Sequence, residues 1–166
     1  MKILGIDPGT TRIGFGVISE ESEPGKGKVL KLVDYGIIEG KSNEELSKSI
    51  CENCKNLSKI IKKYKPDIAG IEKIFFSKNV KTGIAVAQNR GALILELAKA
   101  NIKIKELSPS EIKSLVTGYG MADKKAVSKM ASTILGIKGG LKGYDDASDA
   151  VAIAIATVFT KEYEED

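Results

Sequence analysis

The sequence predicts an α/β domain: a five-stranded mixed sheet flanked by helices. Three observations predict it. Three strand-like runs open the chain with no helix between them, which suits an antiparallel meander. Two more strand-like runs then alternate with helical patterns, the spacing of parallel crossover units. The length of 166 residues, with 42% hydrophobic and 29% charged residues, fits a single domain over 1–166 with one core.

Taken in order, Lys2 to Ile6 is short and mostly apolar and runs into Asp7-Pro8-Gly9, a strand followed by a turn. Ile13 to Ser19 resumes as a strand in which Gly14 and Gly16 alternate with Phe15 and Val17. Glu20 to Lys28 is polar and contains Pro24-Gly25, so it is expected to be a hairpin loop, and Val29 to Ile38 is the third strand. Ser42-Asn43-Glu44-Glu45 reads as a helix start. Leu46, Ile50, Cys54, Leu57, Ile60, Ile61 and Tyr64 then follow at helical spacing until Pro66. Asp67 to Glu72 is a buried strand, Asn79 to Ala100 a helix and Ile102 to Leu107 the fifth strand. Ser108-Pro109-Ser110-Glu111 opens a helix that Gly118-Tyr119-Gly120 breaks. Helices over Asp123–Leu135 and Asp145–Phe159 finish the chain. This order of strands and helices is that of an RNase H-like fold.

Composition excludes several chemistries. There is no histidine, so Ser-His-Asp and Cys-His catalysis are out. Cys51 and Cys54 are the only cysteines; they cannot complete a four-ligand zinc site and are expected to help bury one helix face. The longest apolar run, Ala150 to Phe159 with Thr157 inside it, is too short to span a bilayer. With no basic stretch ahead of a long apolar run at the start, the expected location is cytoplasmic. The net charge of +4 suits a polyanionic partner without demanding one; its lysines concentrate over 41–65 and 99–129, and the last five residues are mostly acidic.

Any hydrolysis here must therefore rest on carboxylates. Asp7 and Glu72 each close a strand that otherwise reads as buried, and Asp146 and Asp149 lie in the first turns of the apolar last helix. Acids at apolar boundaries need partners or a metal. If the first and fourth strands are neighbours, Asp7 and Glu72 emerge at one edge, while Asp146 and Asp149, spaced i, i+3, share a helix face. Singly, Asp7 could be a turn former and Asp145 or Asp146 a helix cap. Jointly, the four acids predict a self-repelling cluster that needs cations. Mg²⁺ prefers such oxygens. Two ions per site would make the clamp used in phosphodiester hydrolysis, with Mn²⁺ as the expected substitute.

The residues then point to a family. Ile3-Leu4-Gly5-Ile6-Asp7-Pro8-Gly9-Thr10-Thr11-Arg12-Ile13-Gly14-Phe15-Gly16 resembles the first strand and turn of the RuvC family of Holliday-junction resolvases. Ile71-Glu72-Lys73-Ile74-Phe75-Phe76-Ser77-Lys78-Asn79 resembles its second acidic segment, and Asp146-Ala147-Ser148-Asp149-Ala150-Val151-Ala152-Ile153-Ala154 its closing helix. The resemblance implies that Asp7, Glu72, Asp146 and Asp149 are catalytic, metal-binding acids. Asp145 matches no family acid and is expected to cap its helix. It further implies a homodimer that nicks two strands of a four-way DNA junction symmetrically, with RuvA and RuvB as branch-migration partners. The helix over 79–100 is the expected dimer seam. Phe75 matches a family phenylalanine that contacts DNA near the junction centre and is expected outside the core, with Phe76 inside. Lys113 and Lys124 match family lysines near the scissile phosphate; Arg12, Lys78 and Lys81 are expected backbone contacts.

Three rivals are weighed against this. The Asp7-Pro8-Gly9-Thr10-Thr11 run also resembles the phosphate loop of sugar kinases and actin-like ATPases, which need a second such domain. The YqgF-type nucleases share the Asp-Pro-Gly start, but the Ile71–Asn79 segment argues against them. A non-catalytic junction-binding protein is argued against by all four acids being present.

Overall fold

The computed structural model describes residues 1–25, 27–40, 44–74 and 80–162, with backbone alone at 80–82, 161 and 162. Strands β1 (Lys2–Asp7), β2 (Arg12–Glu23) and β3 (Gly27–Glu39) form the meander. Then come α1 (Leu46–Tyr64), β4 (Ile68–Glu72), α2 (Val80–Lys99) and β5 (Lys103–Leu107). The chain continues through α3 (Pro109–Thr117), α4 (Lys124–Ile134) and α5 (Asp145–Glu162). The sheet order is β3-β2-β1-β4-β5, with β1 antiparallel to β2 and parallel to β4.

Strand parity divides the core. Ile3, Ile18 and Ile68 face one layer, where they pack with Val151 to Ala156 of α5 and with Ile112, Val116 and Val127 of α3 and α4. Leu4, Ile6, Val17, Ala69 and Ile71 face the other, against Leu57 of α1 and Leu93 and Leu97 of α2. The helix α5 is buried on nearly every side because sheet and helices enclose it, which explains its run of alanine and β-branched residues.

Two expectations need correction. Glu20–Glu23 is strand, not loop, and β2 and β3 pair out to Glu23 opposite Gly27. Charges lace this ribbon: Lys28 meets Glu20 at 3.1 Å, and Lys31 meets both Glu21 and Glu23 at 2.9 Å. Cross-strand pairs of opposite charge let a polar sequence stay extended. The cysteines do not together bury a helix face: both are free, Cys54 is half-buried and Cys51 is exposed.

Helix ends agree with local chemistry. Ser108 and Glu111 form a reciprocal capping box at α3, and Asp123 accepts the Ala126 N–H at the start of α4. Lys65 takes a left-handed φ of 51° and ends α1 ahead of Pro66. Glu45 occupies the N-cap position of α1 but its side chain accepts from the Ser47 hydroxyl and not from a helix N–H, and the expected Ser42-Asn43 start lies outside the described residues.

Candidate active site

Parity also sets where the strand acids go. Asp7 follows Ile3 and Gly5, and Glu72 follows Ile68 and Gly70, on the α5 face of two adjacent parallel strands. Both lie one step past the paired Ile6 and Ile71, so both leave the sheet at the same edge. The remaining acids come from the first turns of α5, which lies unusually close to the sheet. A Cβ on Gly14 would collide with the Asp146 carbonyl, and one on Gly5 with the Ala150 carbonyl and the Ala154 nitrogen. Bare glycine backbone lets the helix settle there and brings its acids down onto the strand ends.

The result is a compact set of oxygens. Carboxylate oxygens of Asp7, Asp146 and Asp149 all lie within 4.8 Å of one another. Glu72 stands beside this trio and lines one cleft with Asp7, Asp149, Lys113 and Lys124. Burial pushes the Asp7 carboxyl up to about 7, helped by the charges of Glu72, Asp149 and Asp146 and opposed by Lys124. Burial and then Asp149 raise Glu72, against Lys113 and Lys124. Burial also raises Asp149, against its hydrogen bond and charge pairing with Lys124. Desolvated carboxylates that repel one another gain most from a hard cation. The donors are oxygens alone, with no imidazole or thiolate among them, and this set fits Mg²⁺ or Mn²⁺ better than zinc.

Lysines provide the local positive charge. Lys124, near the start of α4, places its ammonium 2.8 Å from Asp149 and 3.5 Å from Asp145. Burial alone would lower its pKa, but the two carboxylates prevail and raise it. A wider groove continues from Lys124 past Lys125, Lys129 and Tyr144. Arg12 lies 5.2 Å from the centre of the Tyr144 ring, at the foot of α5. Asp145 corrects its expected role as a cap. It is the first residue of α5, the Ala147 and Ser148 N–H groups donate to the Tyr144 carbonyl, and its own carboxylate faces Lys124.

The sequence-predicted residues are thus placed unevenly. Asp7, Asp146 and Asp149 come together, Glu72, Lys113 and Lys124 share their cleft, and Arg12 stands at the rim beside Tyr144. Phe75, Phe76 and Lys78 lie outside the described residues, as does the side chain of Lys81.

A model of the crossover junction endodeoxyribonuclease RuvC family matches residues 3–157. The chain belongs to the RuvC family. The RuvC of Caldicellulosiruptor saccharolyticus is 38% identical over 169 aligned positions, covering 100% of this chain and 99% of the relative. The Thermus thermophilus RuvC structure superposes with a TM-score of 0.88 at 24% identity, covering 99% of this chain and 97% of that one. The same RuvC in complex with Holliday junction substrate gives 0.85 at 21%, covering 98% and 96%. At these identities the two structures bear on the fold, which is RNase H-like. None of the described helices of this chain is long and apolar enough to cross a membrane.

Several residues around the site escaped the sequence reading. Asn89 and Arg90 of α2 and Asn53 of α1 contact the backbone near the acids or one another. The signal available was polarity out of place, a buried asparagine within each of two amphipathic helices. Gly5 and Gly70 gave a second signal, as glycines inside buried strands.

Proposed function

We propose that the chain is a homodimeric, Mg²⁺-dependent endonuclease that resolves four-way DNA junctions by paired, symmetric phosphodiester hydrolysis in recombination and repair. The observation that carries this reading is the convergence of acids from β1, β4 and α5 on one half-buried cleft with lysines at its margin. Membership of the RuvC family supports it, as does the Thermus relative's complex with a Holliday junction.

Asp7, Glu72, Asp146 and Asp149 would hold two ions. When bound, such a metal supplies Lewis acidity and a nucleophilic water at neutral pH. The acids' own part is to fix the ligand oxygens before substrate arrives, so that little reorganisation is needed. Lys113 and Lys124 would meet the scissile phosphate. Lys124 can exchange Asp149 for phosphate, since its ammonium is a flexible point charge. Arg12, Phe75, Lys78 and Lys81 belong to the same reading as DNA contacts. Mn²⁺ is the substitute metal, RuvA–RuvB the partner complex and the cytoplasm the location. A single domain over 1–166 carries the activity.

The outward face of α2 supports the homodimer. Ile84 and Leu95 are 49% and 54% exposed there, opposite the buried Asn89, Leu93 and Leu97. A four-way junction has approximate two-fold symmetry, and a C₂ dimer presents two related sites to it.

The test incubates the protein with an immobile synthetic four-way junction and Mg²⁺, beside Asp7→Asn and a linear duplex. Paired symmetric nicks confined to the junction and lost in the variant are expected. Binding without cleavage in both Mg²⁺ and Mn²⁺ would leave a junction-binding protein. Equal cutting of the duplex would leave an RNase H-like nuclease of another kind.

A further inference from the structure

Two consecutive residues of α2 grip the chain just where the two acid-bearing strands end. The buried Asn89 donates its side-chain amide to the Gly9 carbonyl at 2.5 Å, two residues beyond Asp7. Its amide oxygen accepts from Asn53 of α1 at 3.1 Å, and Asn53 is buried as well. Arg90 donates Nε to the carbonyl of Glu72 itself at 2.7 Å and pairs with Glu106 through its terminal nitrogen. Lys73, next in sequence, donates its backbone N–H to the Leu107 carbonyl at 2.8 Å, which ties the end of β4 to β5.

These contacts need explaining, because α2 has an apolar core to face. Leu93 and Leu97 continue the same buried side. An asparagine pair among them costs desolvation that a leucine would not. Packing alone does not account for an amide whose donor reaches the backbone beside one acid, followed by a guanidinium whose donor reaches the backbone of the next. Gly9 offers no side chain of its own to pack, so the Asn89 bond holds this turn through its backbone.

We infer that Asn89 and Arg90 are positioning residues that hold the Asp7 and Glu72 carboxylates at the spacing a divalent cation requires, with Asn53 orienting the Asn89 amide. This rests on reading the four acids as a metal cradle. Neither residue touches metal or substrate. Each acts through a peptide group, in the way outer partners fix the ligands of other metal sites. Mispositioning of either strand end spreads the oxygens and weakens the cation, while the mutual repulsion of the acids remains.

The experiment measures Ca²⁺ binding by calorimetry on the intact protein, where no turnover intervenes, together with thermal melting in EDTA. Asn89→Leu removes the donor at similar size, Asn89→Asp keeps the shape but turns an acceptor toward Gly9, and Arg90→Lys keeps the charge but loses the directed Nε bond. Each is expected to weaken Ca²⁺ by about tenfold. The same substitutions are then made beside Asp7→Asn for Asn89 and beside Glu72→Gln for Arg90. A positioning role predicts that the loss shrinks in these double variants, because the ligand being positioned is already impaired. A general structural role predicts the same loss in both backgrounds. Unchanged Ca²⁺ affinity in Arg90→Lys and in a folded Asn89 variant overturns the inference. If Asn89→Leu does not fold, Asn89→Asp and Arg90→Lys decide it. Wild-type protein that binds no Ca²⁺, Mg²⁺ or Mn²⁺ overturns the cradle reading itself and this inference with it.

Discussion

At the scale of single residues, the buried charge of Asp7 works against stability. Burial and three neighbouring acids raise its carboxyl from 3.8 to about 7. A carboxyl with a raised folded value holds its proton more tightly folded than unfolded. Between those two values the folded state binds the extra proton, so stability falls as pH rises through the window. Above about pH 7 the ionised Asp7 is a net burden on the metal-free protein. Asp7→Asn is therefore expected to melt higher than wild type in EDTA at pH 8, by about 1–3 kcal/mol. The gain should shrink toward pH 4, where both forms are neutral. Saturating Mg²⁺ should narrow it too, since a ligand that binds only the folded state stabilises wild type. Melting curves of both proteins at the two pH values check this, and a gain over wild type no larger at pH 8 than at pH 4 would contradict it. Cleavage should follow the same group: lowering pH from 8 to 6 protonates Asp7 and raises the Mg²⁺ concentration needed for half-maximal rate.

At the scale of elements, the approach of α5 to the sheet is what assembles the site. Gly5 meets the backbone of α5, which cannot give as a flexible side chain can. Gly5→Ala should therefore cost about 3 kcal/mol, at the upper end for overpacking, because the helix must lift. Cleavage should suffer beyond the stability loss, since Asp146 and Asp149 ride on the displaced helix. Urea unfolding and cleavage at a temperature where the variant stays folded separate the two effects. This helix also shows what the sequence made legible. Its apolar run, the ends of β1 and β4 and the four acids are all local patterns, and order along the chain was enough to place them. The β2–β3 ribbon was misjudged because cross-strand ion pairs, not apolar alternation, keep Glu20–Glu23 extended. Asn89 and Arg90 stayed hidden because their meaning depends on which backbone carbonyl lies opposite, and Asn53 because it meets the Asn89 amide from another helix; no periodicity carries that. Asp145 looked like a cap because an acid at a helix start often is one; Lys124 arrives from a separate helix to claim it.

At the scale of the whole molecule, the opposite faces of α2 differ in what they meet. The inner face packs on the sheet and reaches the strand ends; the outer face carries Ile84, Gln88, Gly91 and Leu95, spaced as a helix seam requires. Gly91 has open space where a Cβ would stand, which leaves room for another backbone to come close. A second copy bound there by a two-fold axis would use the same patch from both sides, so one substitution enters the interface twice. Leu95→Glu is expected to weaken dimerisation by about 100-fold or more, as loss of a central apolar anchor and introduction of facing like charges both act. Stability of the single chain should change little, because Leu95 is more than half exposed. Sedimentation at micromolar protein should then report a monomer. In the proposed dimer its effect on a junction would differ from that of a lost acid: each subunit would keep its acids, so single nicks would persist while the paired, near-simultaneous nicks of one resolution event would disappear. A supercoiled plasmid carrying an extruded cruciform reads this directly, with nicked circles replacing linear product. Leu95→Glu that still sediments as a dimer and still linearises the plasmid would move the seam to another face of the molecule.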